Sequence, residues 1–166
     1  MNLYKYKNLE RVQNWNLCYN PEESKLPCIE AYVDGSYSPT LKRGGFGIYI
    51  IDTNKNEVIH KEFKDLDSKC IRIKSKNSLS SELNAVLRAM EIAKSLKLQE
   101  INIVYDCHAI ISALWDTKVK NDEMYQFRLA MKKYLENIYV TFTNAIFYNH
   151  ATHNHAHRLS RQYLTT

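Results

Sequence analysis

Apolar and polar positions follow two different periods along this chain. Between residues 29 and 63 the apolar side chains come in short β-branched and aromatic runs: 29–34 (IEAYVD), 46–51 (FGIYII) and 57–63 (EVIHKEF). Runs of this length and composition predict strands. The connection over 37–45, with Pro39 and the Gly44-Gly45 pair, predicts a turn. Three strands so close in sequence predict an antiparallel meander.

The period then changes. Leu79, Leu83, Val86, Leu87, Met90, Ala93 and Leu96 recur at helical spacing, which predicts a helix over 80–97 with Ser78 or Ser80 as its N-cap. Residues 101–105 (INIVY) are almost wholly apolar, as a central parallel strand is. A short helix is predicted over 109–115, and another carries Met124, Phe127, Met131, Tyr134 and Leu135. A fifth strand follows over 139–148, and a helix over 156–163 closes the chain. The order β-β-β-α-β-α-α-β-α describes an α/β fold. It has a mixed five-stranded sheet, three antiparallel strands followed by parallel ones, flanked by helices.

A length of 166 residues suits one domain with a sizeable core. That domain is expected over 28–166. Residues 1–27, closed by Pro21 and Pro27, form an N-terminal extension. Its Leu3, Tyr4, Tyr6, Leu9, Val12, Trp15 and Leu17 suit partial packing on the domain rather than a linker. No apolar run reaches the roughly 20 residues needed to span a bilayer. The first residues, MNLYKYKNLERVQ, lack the apolar core of a signal peptide. The expectation is a monomeric cytoplasmic protein without membrane contact. Cys18, Cys28, Cys70 and Cys107 form no C-x-x-C pair and read as reduced thiols. The net charge of +5 permits a polyanionic partner without requiring one.

Three carboxylates occupy related places. Asp34 ends the first predicted strand, Asp106 ends the fourth, and Glu82 lies in the first turn of the first long helix. Were the first and fourth strands parallel neighbours, Asp34 and Asp106 would emerge together, beyond the carboxyl ends where such sheets place their sites. A helix crossing that edge could bring Glu82 to them. Three converging carboxylates repel unless a cation lies between them. Oxygen ligands of this kind select Mg²⁺ or Mn²⁺. Each residue taken alone has a plainer reading, as a turn former, a cap or a helix-dipole partner.

The joint pattern resembles the type-1 ribonuclease H family. The matching pieces are AYVDGSY (31–37), GGFGIYI (44–50), SELNAVLRAMEIA (81–93), INIVYDC (101–107), VKN (119–121) and HAHRLSR (155–161), in the family's order. The resemblance implies a divalent-metal-dependent endonuclease that hydrolyses the RNA strand of RNA–DNA hybrids by a two-metal mechanism. It implies metal ligands at Asp34, Glu82 and Asp106, with Asp34 shared by both ions, and Glu82 near a ribose 2′-hydroxyl. Gly35, Ser36, Asn77, Ser78, Ser80, Lys120 and Asn121 become candidates for contact with the hybrid, although helix capping alone would also explain the serines. Lys118, Lys120, Arg128, Lys132 and Lys133 supply positive charge near the third helix. Lys132 and Lys133 also read simply as a solvated face.

The chain departs from the family at its end. The family's last helix reads Ala-Asp-x-Leu-Ala, and the Asp is the fourth ligand. Here the run is Ala156-His157-Arg158-Leu159-Ser160, which puts His157 at that position. Loss of one negative charge and gain of a nitrogen donor imply a preference for Mn²⁺. His150 aligns with the family's mobile loop histidine, an aid to proton transfer or product release. A rival reading joins His153 and His157 in a separate transition-metal site, and His155 reads as part of a solvated loop. Two further alternatives stay open: a hybrid- or RNA-binding module of the same fold with weakened or lost catalysis, and another nuclease of the same superfold.

Overall fold

The computed structural model describes residues 16–165 other than Thr117. Residues 1–15, and with them most of the N-terminal extension, lie outside the described residues. Six strands form one sheet: β1 (Leu17–Tyr19), β2 (Ile29–Ser38), β3 (Arg43–Asp52), β4 (Glu57–Asp65), β5 (Glu100–Tyr105) and β6 (Tyr139–Asn144). Their order is β1-β6-β5-β2-β3-β4. β2, β3 and β4 form the expected antiparallel meander, while β5, β6 and β1 continue the sheet in parallel. The helices are α1 (Ser78–Ser95), α2 (His108–Trp115), α3 (Asp122–Leu135) and α4 (His150–Ser160). None of the described helices is long and apolar enough to cross a membrane.

The sheet has one strand more than its hydrophobic pattern predicts. Leu17–Tyr19 leaves the N-terminal extension and pairs in parallel with Val140–Phe142. Three residues carry too little periodicity to be read as a strand alone. The open edge of β6 supplies the hydrogen-bonding partner that defines it.

β2 is also longer than predicted. Asp34 does not end it; pairing with β3 continues from Asp34 opposite Gly47 to Ser38 opposite Arg43. The ladder to β5 on the other side stops at Tyr32 opposite Val104. Asp34 and Asp106 each lie two residues beyond that last parallel pair, so they stand at the same level, where β2 and β5 part.

α1 and α3 lie on one face, with Val33, Ile48, Leu83, Val86, Met90, Ile103, Phe127 and Met131 in a continuous core. α4 lies on the other face, against β2 and β3, over a smaller apolar cluster of Tyr32, Val104, Ala145 and Ala156. α1 begins at Ser78 rather than 80, and its N-cap is Asn77. The Asn77 side chain accepts from Ser80 N at 2.7 Å, and Ser80 Oγ accepts from Asn77 N at 3.0 Å. This reciprocal pair satisfies two of the backbone donors left open at a helix start.

The chain's end is built differently from its pattern. β6 stops at Asn144 rather than Tyr148. α4 begins at His150, six residues before the predicted start, and Gln162–Thr165 adds a 3₁₀ turn. Asn149 precedes α4 in the left-handed region (φ 47°) and donates from Nδ2 to Tyr32 Oη at 2.9 Å. That side-chain bond ties the start of the helix to β2.

Candidate active site

Two glycines let both helices close on the end of β2. At Gly35 any Cβ would collide with the backbone of Ser81 and Glu82. At Gly47, paired with Asp34, it would collide with the backbone of Ala156 and Ser160. Only the missing side chain permits such approach. The first turn of α1 is therefore seated on Gly35, and α4 on Gly47.

Glu82 reaches the strand end through the first contact. Its carboxylate accepts a hydrogen bond from the Gly35 backbone, while its Oε2 is buried without a hydrogen-bond partner among the described residues. Burial, and then the charges of Asp34 and Asp106, raise its pKa well above the ordinary carboxylate range. Asp34 is 3% exposed, and its pKa is also raised, by burial first and by Asp106. The Ser160 hydroxyl and the two histidines His153 and His157 act against that rise. Asp106 is exposed, at the open side of the group. The Cys107 thiol beside it is pushed up to about 11 by burial and by the Glu82 charge, so it stays protonated at neutral pH.

The second contact brings α4. His157 Nδ1 lies 3.0 Å from Asp34 Oδ2, and Ser160 Oγ donates to the same oxygen at 2.8 Å. One turn earlier, His153 is buried, with Nε2 2.9 Å from the Val33 carbonyl. A carbonyl only accepts, so Nε2 carries the proton and the ring is fixed in orientation. Ligand atoms of Asp34, Asp106 and His153 all lie within 4.8 Å of one another. His153 is thus gathered with Asp34 and Asp106, in a group that includes neither Glu82 nor His157.

A divalent cation suits this donor set. It would offset the repulsion between the carboxylates, and it would give the unpartnered Glu82 Oε2 a counter-charge. Asp34, Glu82 and Asp106 offer oxygen, and His157 and His153 lie alongside.

The other candidate residues divide. Gly35 and Ser36 lie next to Asp34 on β2, with Ser36 Oγ 3.0 Å from Tyr163 Oη. Ser78 is exposed at the start of α1. Asn77 is occupied by its cap and by a bond from Nδ2 to Glu123 Oε1 at 3.1 Å, which ties the starts of α1 and α3. Asn121 caps α3, accepting from Met124 N at 2.9 Å, next to an exposed Lys120. Ser80 is fully buried by its capping role, so it has no surface with which to contact a substrate. Arg128 is likewise unavailable: it is buried, donating to the Ala113 carbonyl at 2.6 Å and the Asp116 carbonyl at 2.5 Å. Its expected part in a basic surface is replaced by a structural one, holding the end of α2. His155 belongs to α4 rather than a loop and stacks on Tyr49 with centroids 4.5 Å apart. His150 is the first residue of α4, and its side chain lies outside the described residues.

No protein-family model matches the chain, and no curated protein does. Solved structures match over most of it. Ribonuclease H1 from the halophilic archaeon Halobacterium salinarum aligns at a TM-score of 0.64 with 16% identity, over 82% of this chain and 97% of that one. The N-terminal RNase H domain of a Mycobacterium tuberculosis protein aligns at 0.61 with 13% identity, over 81% and 91%. LC11-RNase H1, isolated from compost and solved in complex with an RNA/DNA hybrid, aligns at 0.55 with 19% identity, over 70% and 83%. Sheet order, helix placement and these alignments agree: the chain has the ribonuclease H fold.

Proposed function

We propose that this protein is a divalent-metal-dependent endonuclease that hydrolyses the RNA strand of RNA–DNA hybrids. One observation carries the reading: Asp34 and Asp106 lie within ligand reach of one another, and both add their charge to Glu82, whose buried Oε2 has no hydrogen-bond partner among the described residues. A fold that keeps such repulsion without a cation is destabilised by it. Bound divalent ions would supply an activated water and stabilisation of the departing 3′ oxygen.

The chain's own residues set up that chemistry. Asp34 lies between the Glu82 side and the α4 side and would be the central ligand. Glu82 and Asp106 would hold an ion with it, to stabilise the departing oxygen. His157 takes the position opposite, where Ser160 fixes the Asp34 oxygen that His157 also meets. Gly35, Ser36 and Ser78 line the approach, and Lys120 and Asn121 offer charge and polarity beyond. His150 is the candidate for assisting proton transfer or product release. With an imidazole in place of a fourth carboxylate, the site favours Mn²⁺ over Mg²⁺.

A second reading has one observation in its favour. His157 and Ser160 both engage Asp34 Oδ2 directly. A carboxylate oxygen held in this way can leave its neighbours to bind hybrid without cutting it. The two readings part in one assay: labelled RNA–DNA hybrid, single-stranded RNA and duplex DNA, each with Mg²⁺ or Mn²⁺, beside Asp34→Asn. Cleavage of the hybrid alone, abolished by the variant, supports the nuclease. Hybrid binding without cleavage in either metal supports the module.

A further inference from the structure

At the opposite end of α1, about 18 Å along the helix from Glu82, a cavity of about 390 Å³ opens between the ends of α1 and α3 and the start of β5. Four cations line it: Arg72 from the connection before α1, Lys94 and Lys97 at the end of α1, and Lys133 from α3. No acidic side chain lines it. Glu91, whose charge reaches Tyr134, is paired with Arg88 at 3.3 Å. Among the described residues Lys94, Lys97 and Lys133 have no carboxylate partner.

Helix-end lysines are commonly the counterpart of the negative helix terminus. That accounts for Lys94 and Lys133. It does not account for Arg72, which belongs to neither helix and donates from Nη2 to Tyr134 Oη at 3.3 Å. Nor does it account for a concave floor of Tyr134, Ile138, Leu98 and Ala130 beneath the four charges. The volume falls within the roughly 300–1,000 Å³ of small-molecule sites, which likewise join apolar walls to a few polar groups. A ligand fitting both features carries several negative charges at one end and a flat apolar body at the other. A phosphate chain would meet the cations, and a ring the apolar lining beside them.

We infer that this cavity is a nucleotide-binding site, taking a nucleoside di- or triphosphate apart from the carboxylate site. Phosphate chains are well matched by clustered Lys and Arg. A volume of this size suits one nucleotide.

Isothermal titration of ADP, pyrophosphate and adenosine into the full chain tests this. Chelator is present throughout, so that the carboxylate site holds no ion able to capture phosphate. ADP is expected to bind about tenfold or more tightly than either fragment. Lys97→Glu combined with Lys133→Glu changes two exposed side chains. It should weaken ADP by about tenfold or more, with a single cooperative unfolding transition retained above the titration temperature. Absence of ADP binding at millimolar concentration, equal binding of pyrophosphate and ADP, or an unaffected double variant each overturns the inference. Tight oligothymidylate binding that displaces ADP overturns it too, in favour of a strand site. None of these outcomes depends on hybrid cleavage.

Discussion

His157 Nδ1 stands 3.0 Å from Asp34 Oδ2, so a histidine on α4 directly faces the carboxylate in the middle of the site. Two substitutions follow. His157→Asp restores a fourth negative charge and is expected to raise the Mg²⁺-supported rate of hybrid cleavage by about tenfold, narrowing the gap to Mn²⁺. His157→Ala should lower the rate in both metals. Initial rates over a metal titration read this directly. A parent enzyme equally fast in Mg²⁺ and Mn²⁺ would remove the basis for the preference.

Glu82 gives a prediction about stability rather than rate. Burial raises its pKa above the unfolded value, so the folded state holds the proton more tightly. The metal-free protein is therefore stabilised below the unfolded carboxylate value, and that stability is lost as pH rises towards the folded one. Glu82→Gln removes the effect. At neutral pH, in chelator, the variant should unfold a few degrees higher than the parent while cleaving nothing. The difference should vanish in acid. Excess Mn²⁺ should reverse the order, because the ion binds the folded parent and not the variant.

Glu62 shows the opposite sign. Burial alone would raise its pKa, but Arg88 bonds it at 2.7 and 2.8 Å, and Lys64 and His60 add positive charge, so the net direction is down. Its contribution is present above the unfolded carboxylate value and is lost as pH falls through the folded one. The pair ties β4 to α1. Arg88→Ala should cost roughly 1–3 kcal/mol in denaturant unfolding at neutral pH, and less in acid.

His153 holds α4 to β2 through the Val33 carbonyl, one residue before Asp34. His153→Ala leaves that buried oxygen unpaired and should destabilise by roughly 1–3 kcal/mol. Metal titration followed by calorimetry should also show weaker loading, because Asp34 and Asp106 lose a neighbour within ligand reach. A variant that unfolds earlier yet loads metal as the parent does would make His153 a structural tie alone.

Hybrid binding should weaken steeply with salt, since the phosphate backbone dominates such contacts. The exposed Lys120 should account for about one unit of the slope of log affinity against log salt. An unchanged slope in Lys120→Ala would place the contact elsewhere.

The carboxylate group was legible because its residues sit where two periods change: Asp34 and Asp106 after apolar strands, Glu82 just inside a helix. The continuation of β2 through Gly35-Ser36-Tyr37-Ser38 was not, since that run has turn composition and becomes a strand only by pairing with β3. β1 was hidden for the same reason, with β6 as its partner. His153 was paired with His157 alone and not with Asp34 and Asp106, because the start of α4 has no side-chain cap to signal it. The helix begins instead where Asn149 adopts a left-handed turn and reaches Tyr32, 117 residues away in sequence. Local signals report local structure, and each of these features is set by a distant partner.

The paired strands β2 and β3 carry their two critical glycines on opposite faces, Gly35 beneath α1 and Gly47 beneath α4. The site is thus adjustable in halves. A methyl group at Gly47 would lift away the histidine half while sparing Glu82, and one at Gly35 would do the reverse. Each half can drift under selection by single-atom steps in its own helix seat, with the aspartate between them as the fixed reference for both.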